Sequence, residues 1–115
     1  MANFSLDVRT DADGSLLVRP CGDLGTECAV QFRQTLVHAV RKLRPLRLIL
    51  DLGGVTTIDP INLGTVAALC GLADDHRVVV FLHNAPTALG DDLRAAGVPP
   101  QRFATSNPPV TAATP

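Results

Sequence analysis

Two short runs limit what this chain can fold into. LRLILDL, Leu46 to Leu52, and RVVVFLH, Arg77 to His83, are apolar on consecutive positions, the pattern of strands inside a sheet and not of an edge strand with one wet face. Between them LGTVAALCGLA, Leu63 to Ala73, has helix length and is apolar almost all round, as a helix held between a sheet and a second layer would be. Strand, helix and strand in that order require parallel neighbours joined by a right-handed crossover. LRLILDL is therefore expected as a central strand.

The flanking segments add an antiparallel edge and two more helices. FSLDVR, Phe4 to Arg9, alternates strictly, and DADG, Asp11 to Gly14, supplies turn residues before a second apolar run from Leu16 to Val18, so the two form a hairpin. Pro20, Gly22 and Gly25 are expected to end that second strand. Thr26 reads as the N-cap of a helix beginning at Glu27, with Phe32, Leu36, Val40 and Leu43 as its apolar stripe and Pro45 as its stop. Pro86 and Thr87 open a third helix carrying Leu89, Leu93 and Ala96, closed by Gly97 and Val98. Phe103 starts a short last strand. The class is α/β: a mixed sheet of four to five strands with three to four helices packed mainly on one face. Residues 1–106 form one domain, and NPPVTAATP, residues 107–115, has too little to bury and is expected to be a mobile tail.

Composition narrows the function. A chain of 115 residues is long enough to fold without metals or disulfides. Its longest apolar runs fall short of the roughly 18 residues that span a bilayer, and MANFSLDVR lacks the pattern of a secretory signal, so a cytoplasmic location without membrane insertion is expected. The net charge of -1 and the absence of a basic face argue against nucleic acid. Cys21, Cys28 and Cys70 are odd in number and irregularly spaced, which fits core thiols better than a disulfide framework or a zinc site.

Over residues 4 to 103 the sequence resembles the STAS domain, the fold of bacterial anti-sigma factor antagonists. The resemblance is carried by GDL at Gly22 to Leu24, LILDLGGVTTID from Leu48 to Asp59, Leu63 with Gly64, RVVVFLHNAP, the spaced leucines and AGV from Leu89 to Val98, and Phe103. It implies a regulatory, non-catalytic protein-interaction domain whose partner is an anti-sigma factor of the histidine-kinase-like ATPase type. It also implies a phosphorylated serine in the turn after the central strand, which in the family reads Asp-Ser-Ser-Gly-Leu-Gly. Here Asp59 matches the Asp, Pro60 and Ile61 take the two Ser positions, Asn62 takes the first Gly, and Leu63 and Gly64 fall back into step. The acceptor hydroxyl is missing at Ile61.

The residues of that junction make sense without the family. Asp59 as N-cap and Pro60 at the first helical position make a strong helix start. A serine there would place a phosphate against free N–H groups and the positive end of the helix dipole, but Ile61 has no oxygen to phosphorylate. Thr56 and Thr57 precede the cap and Thr65 lies inside the helix, so none occupies the acceptor position. Asp59 lacks an evident companion for acid–base catalysis, Asp51 and His83 being strand residues of unknown facing. His38 and His76 read as helix and turn residues, and the Gly53-Gly54 pair as a turn, since it lacks the Lys-Ser/Thr ending of a phosphate loop. No catalytic residue, cofactor or metal ligand is expected. Asp23, Asp59, Pro60, Ile61, Asn62, Leu63 and Gly64 are the expected partner contacts, and a homodimer is compatible with the sequence. A second reading is a ligand-binding or scaffolding domain whose helix start receives a small anion, a nucleotide or a lipid-transport partner, weakened by the Asp59 charge and the absent Pro60 N–H.

Overall fold

The computed structural model describes residues 4–104. The expected tail at 107–115 lies outside these residues. The elements are β1 (Phe4–Thr10), β2 (Leu16–Leu24), α1 (Ala29–His38), β3 (Arg47–Asp51), β4 (Val55–Ile58), α2 (Pro60–Asp75), β5 (Val79–His83), α3 (Thr87–Ala95) and β6 (Phe103–Ala104). β1 and β2 are antiparallel, and the other pairings are parallel, in the order β1-β2-β3-β5-β6 with β4 also beside β2. The mixed α/β architecture is as expected, with three α-helices among the described residues. β3 is central, between β2 and β5.

β2 departs from expectation. It does not stop at Val18 but runs nine residues through Pro20 and Gly22. Its first part pairs with β3 at Leu16 to Val18 and its last part with β4 at Gly22 to Leu24, so Pro20 falls in the gap between two parallel partners, where a missing N–H breaks no ladder on that side. The register shifts between Gly22 and Asp23, and Gly22 takes a φ of 93° that favours glycine. β4 is an element that the sequence did not announce: VTTI is short and follows directly on the Gly53-Gly54 turn. A Cβ on Gly54 would sit 2.6 Å from the Cys21 sulfur, so the turn's second residue must be small. Because β3 and β4 share one flank of β2, six strands fill five positions across the sheet.

One face of the sheet is dry. Leu48 and Leu50 of β3 and Val80 and Leu82 of β5 are buried with Phe32 and Leu36 of α1 and Val66 and Leu69 of α2. Each fully buried apolar side chain of this size contributes roughly 1.5–3 kcal/mol, and this cluster is where the fold is held. Ile49 and Phe81, on the alternate positions, are only half-buried, so the two runs are not covered on both faces. Their unbroken apolar character reflects a helix-covered face and a partly open one.

The helices also correct details. Thr26 caps nothing: a single 3-10 turn, Thr26–Cys28, leads into α1, and the Cys28 thiol lies 3.3 Å from the Gly25 carbonyl. After His38 the helix widens into a π turn over Ala39–Leu43, ending at Arg44 in the left-handed region. The wider turn rotates Leu43 off the stripe, leaving it 52% exposed. α2 is not buried all round: Ile61, Gly64, Ala68 and Gly71 line its exposed side, small residues after the first. α3 ends as expected, with Gly97 at φ 112°, the Val98 N–H donating to the Leu93 carbonyl at 3.0 Å, and Val98 buried.

Candidate functional site

The turn from β4 into α2 is tied to the end of β2. The Asp59 N–H donates to the Leu24 carbonyl at 2.8 Å, extending the β2–β4 pairing up to the helix. Asp59 is extended, with φ -79° and ψ 146°, and its carboxylate accepts the Ile61 N–H at 3.0 Å. Its carbonyl accepts the N–H groups of Asn62 at 2.9 Å and Leu63 at 3.2 Å. Pro60, first in the helix, has no N–H to offer. The first turn of α2 therefore has its donors already engaged, and the small-anion reading of this helix start loses the groups it would need.

Asn62 completes the lock. It is fully buried, at 0% exposure, and its Nδ2 donates to the carbonyls of Leu24 at 2.6 Å and Gly25 at 2.9 Å. These two bonds fasten the loop after β2 to the first turn of α2. Its Oδ1 is buried without a hydrogen-bond partner among the described residues. Asn62 was expected as a partner contact, but its amide is turned inward and has no surface to present. It positions the residues around it.

The other expected contacts divide by exposure. Pro60 and Gly64 are exposed and Ile61 is 54% exposed, while Asp59 and Leu63 are half-buried, Leu63 against the core. Asp23 is exposed, and its carboxylate accepts the Thr57 hydroxyl, linking β2 to β4. With Glu27 and Asp59, Asp23 lines an open cleft of about 440 Å³ bordered by Gly25, Thr26 and Thr57. The cleft carries three carboxylates and two threonines. Glu27 was not anticipated here: more than thirty residues of chain separate it from α2, and the β2–β4 pairing brings the loop that carries it beside the helix start. Thr56 is exposed, and Thr65 donates its hydroxyl to the Ile61 carbonyl at 3.2 Å, one turn back along the helix.

The remaining chemistry-bearing residues have structural partners. The Asp51 carboxylate accepts the Gly53 N–H at 3.0 Å and the Asn84 amide at 3.2 Å, holding the turn between β3 and β4. His83 is its register neighbour on β5, and His76 places Nδ1 2.9 Å from the Leu72 carbonyl at the end of α2. Burial pushes the Cys70 and Cys28 thiols above their ordinary value, which keeps them protonated and unreactive. Cys21 is only partly buried, less enclosed than a core thiol. Among the described residues no group of three or more metal-ligating side chains is placed to hold an ion, and no helix is long and apolar enough to cross a membrane.

Comparison with known proteins adds the fold's name. No family model and no curated protein matches the chain. Among solved structures it is similar to the Bacillus cell fate determinant SpoIIAA in its phosphorylated form, with 12% identity, 94% of this chain and 96% of that one covered, and a TM-score of 0.75. It is similar to an anti-sigma factor antagonist from Mycobacterium paratuberculosis, with 21% identity, coverage of 90% and 85%, and a TM-score of 0.67. It is also similar to part of the murine Slc26a9 anion transporter, with 20% identity and a TM-score of 0.61, where 83% of this chain matches 18% of the other. The chain has the STAS fold, as its sequence implied.

Proposed function

We propose that the chain is a non-catalytic regulator of the anti-sigma factor antagonist type, which binds a protein partner at the α2 entrance and is not phosphorylated at the usual serine position. The observation that supports this most is the geometry of residues 59–64. The Asp59 carboxylate, the Pro60 ring and the Asn62 Nδ2 fix the helix start, and this fixed frame presents Ile61, an apolar side chain, to solvent. An exposed, rigidly held apolar side chain is a good anchor for an interface and has no chemistry of its own. The partner expected is an anti-sigma factor of the histidine-kinase-like ATPase type, contacted through Asp23, Asp59, Pro60, Ile61, Leu63 and Gly64, in a cytoplasmic setting. Residues 1–106 act as one domain in this reading.

The test is a calorimetric titration of such an anti-sigma factor from the same genome with the full chain, Ile61→Asp and Arg9→Ala. Arg9 lies at the far end of β1, so its variant should bind like the wild type. Ile61→Asp should weaken binding by at least about tenfold, since it adds a charge at an interface centre beside Asp59. Equal binding by Ile61→Asp would place the docking surface elsewhere.

A further inference from the structure

A second depression adjoins Ile61, on the side away from the acidic cleft. It is a groove of about 490 Å³ between α1 and α2, with Ile61 at one end. Its floor is apolar, Leu36 and Leu69 being buried in the core, and its α2 wall is low because Gly64 and Ala68 are small. A Cβ on Gly64 would meet nothing within 4 Å, so packing within the chain does not require glycine there. In an exposed helix interior glycine is less favourable than alanine, and nothing inside this molecule offsets that.

The α1 wall carries charge. Arg33 and Arg41 line the groove, both are exposed, and neither joins an ion pair among the described residues. No acidic residue lines the groove. Arg33 lies on α1 and Arg41, eight positions on, in the π turn that continues it, so the two stand at most about 12 Å apart along the axis. One carboxylate, such as a fatty acid's, cannot meet both. Two acids on one face of a second helix, seven or eight residues apart, are separated by about the same distance, and the residues between them on that face would lie over the apolar floor.

We infer that the groove seats an amphipathic helical segment of a partner protein, one whose inward face carries two acidic residues about two turns apart with apolar residues between them. The recognition is helix-in-groove: the apolar residues supply burial, and Arg33 and Arg41 set register and direction. The inference rests on the reading of the α2 entrance as a docking surface, because Ile61 belongs to both, and it specifies which side of that entrance the partner's helix occupies. The occupant is opposite in charge to what the acidic cleft of Asp23, Glu27 and Asp59 would accept.

The test uses the full chain and three fluorescein-labelled, alanine-rich peptides of roughly 16 residues, long enough to populate helix. The first has two Glu two turns apart flanking two Leu on one face, the second has the same composition with the Glu on the opposite face, and the third replaces Glu by Lys. Anisotropy should show the first binding roughly tenfold tighter than the second, an advantage that shrinks with salt. The Arg33→Glu/Arg41→Glu double variant, changed only on the surface, should lose that advantage and prefer the lysine peptide. Equal binding of the first two peptides overturns the inference. So does dodecanoate binding that depends on the arginines without any peptide preference, or a dimer of this chain in sedimentation that Arg41→Glu dissolves. Titration of the anti-sigma factor separates the two levels. Loss with Ile61→Asp but not with the double arginine variant overturns the groove and leaves the entrance standing. Loss with neither overturns the entrance, and with it the groove as a partner site.

Discussion

The two sides of Ile61 are built on opposite plans. On one side the loop after β2, the end of β4 and the start of α2 are cross-linked by Thr57 with Asp23, by Asp59 with the Ile61 N–H and by Asn62 with two carbonyls, and the exposed charge is negative. On the other side α1 and α2 lie side by side with small residues and leucines between them, and the exposed charge is positive, in no ion pair among the described residues. The bonded side uses its polar groups for rigidity; the groove side leaves its two arginines outside any ion pair among the described residues. Under the proposed function, a surface that is fixed on one flank and open on the other would select a partner by position and sign together.

This contrast can be broken in steps. The largest effect is expected at Asn62. Asn62→Ala removes one buried and one partly buried hydrogen bond and leaves a hole beside the Leu24 and Gly25 carbonyls, so urea denaturation should show a loss of about 1–3 kcal/mol. A loss below about 0.5 kcal/mol would mean that the loop and the helix are held together by packing instead. Asp59→Ala should cost about 1 kcal/mol by freeing the Ile61 N–H, and hydrogen exchange at Ile61 should speed up while the β3 amides stay protected. The smallest effect has the opposite sign. Gly64→Ala should stabilise the fold by roughly 0.5–1 kcal/mol, because the new methyl group meets open space and the helix gains propensity. If it also weakens partner binding, the groove side has kept a glycine for function at the expense of stability. If it destabilises the chain, the outer side of α2 is not open as described.

Much of this was legible in the residues, and what was not follows a pattern. The Asp59-Pro60 start of α2 could be read directly because capping is local: an acidic acceptor two positions before the N–H it binds, with a proline between them. The Gly97-Val98 stop is the same kind of signal. β4 was missed because four residues after a glycine pair carry little periodicity, and its strand character comes from β2 alongside it. Pro20 looked like a strand end because a proline in a central strand is tolerated only where a partner is absent, a circumstance created by β3 and β4 meeting beside β2. Asn62 was placed at the right position with the wrong facing, since whether its amide turns outward depends on the loop thirty-odd residues earlier. The groove had no signal at all in the chain. Arg33, Arg41 and Gly64 become one feature only once α1 and α2 lie against the same sheet.

The central claim is that the α2 entrance keeps a docking surface while lacking phospho-control. Intact-mass measurement of the full chain after incubation with ATP and an anti-sigma factor of the ATPase type, in the complex isolated by gel filtration, tests it most directly. The account predicts a complex in which the chain has its unmodified mass. A complex in which the chain has gained a phosphoryl group, on Thr56, Thr57, Thr65 or any other residue, would contradict it.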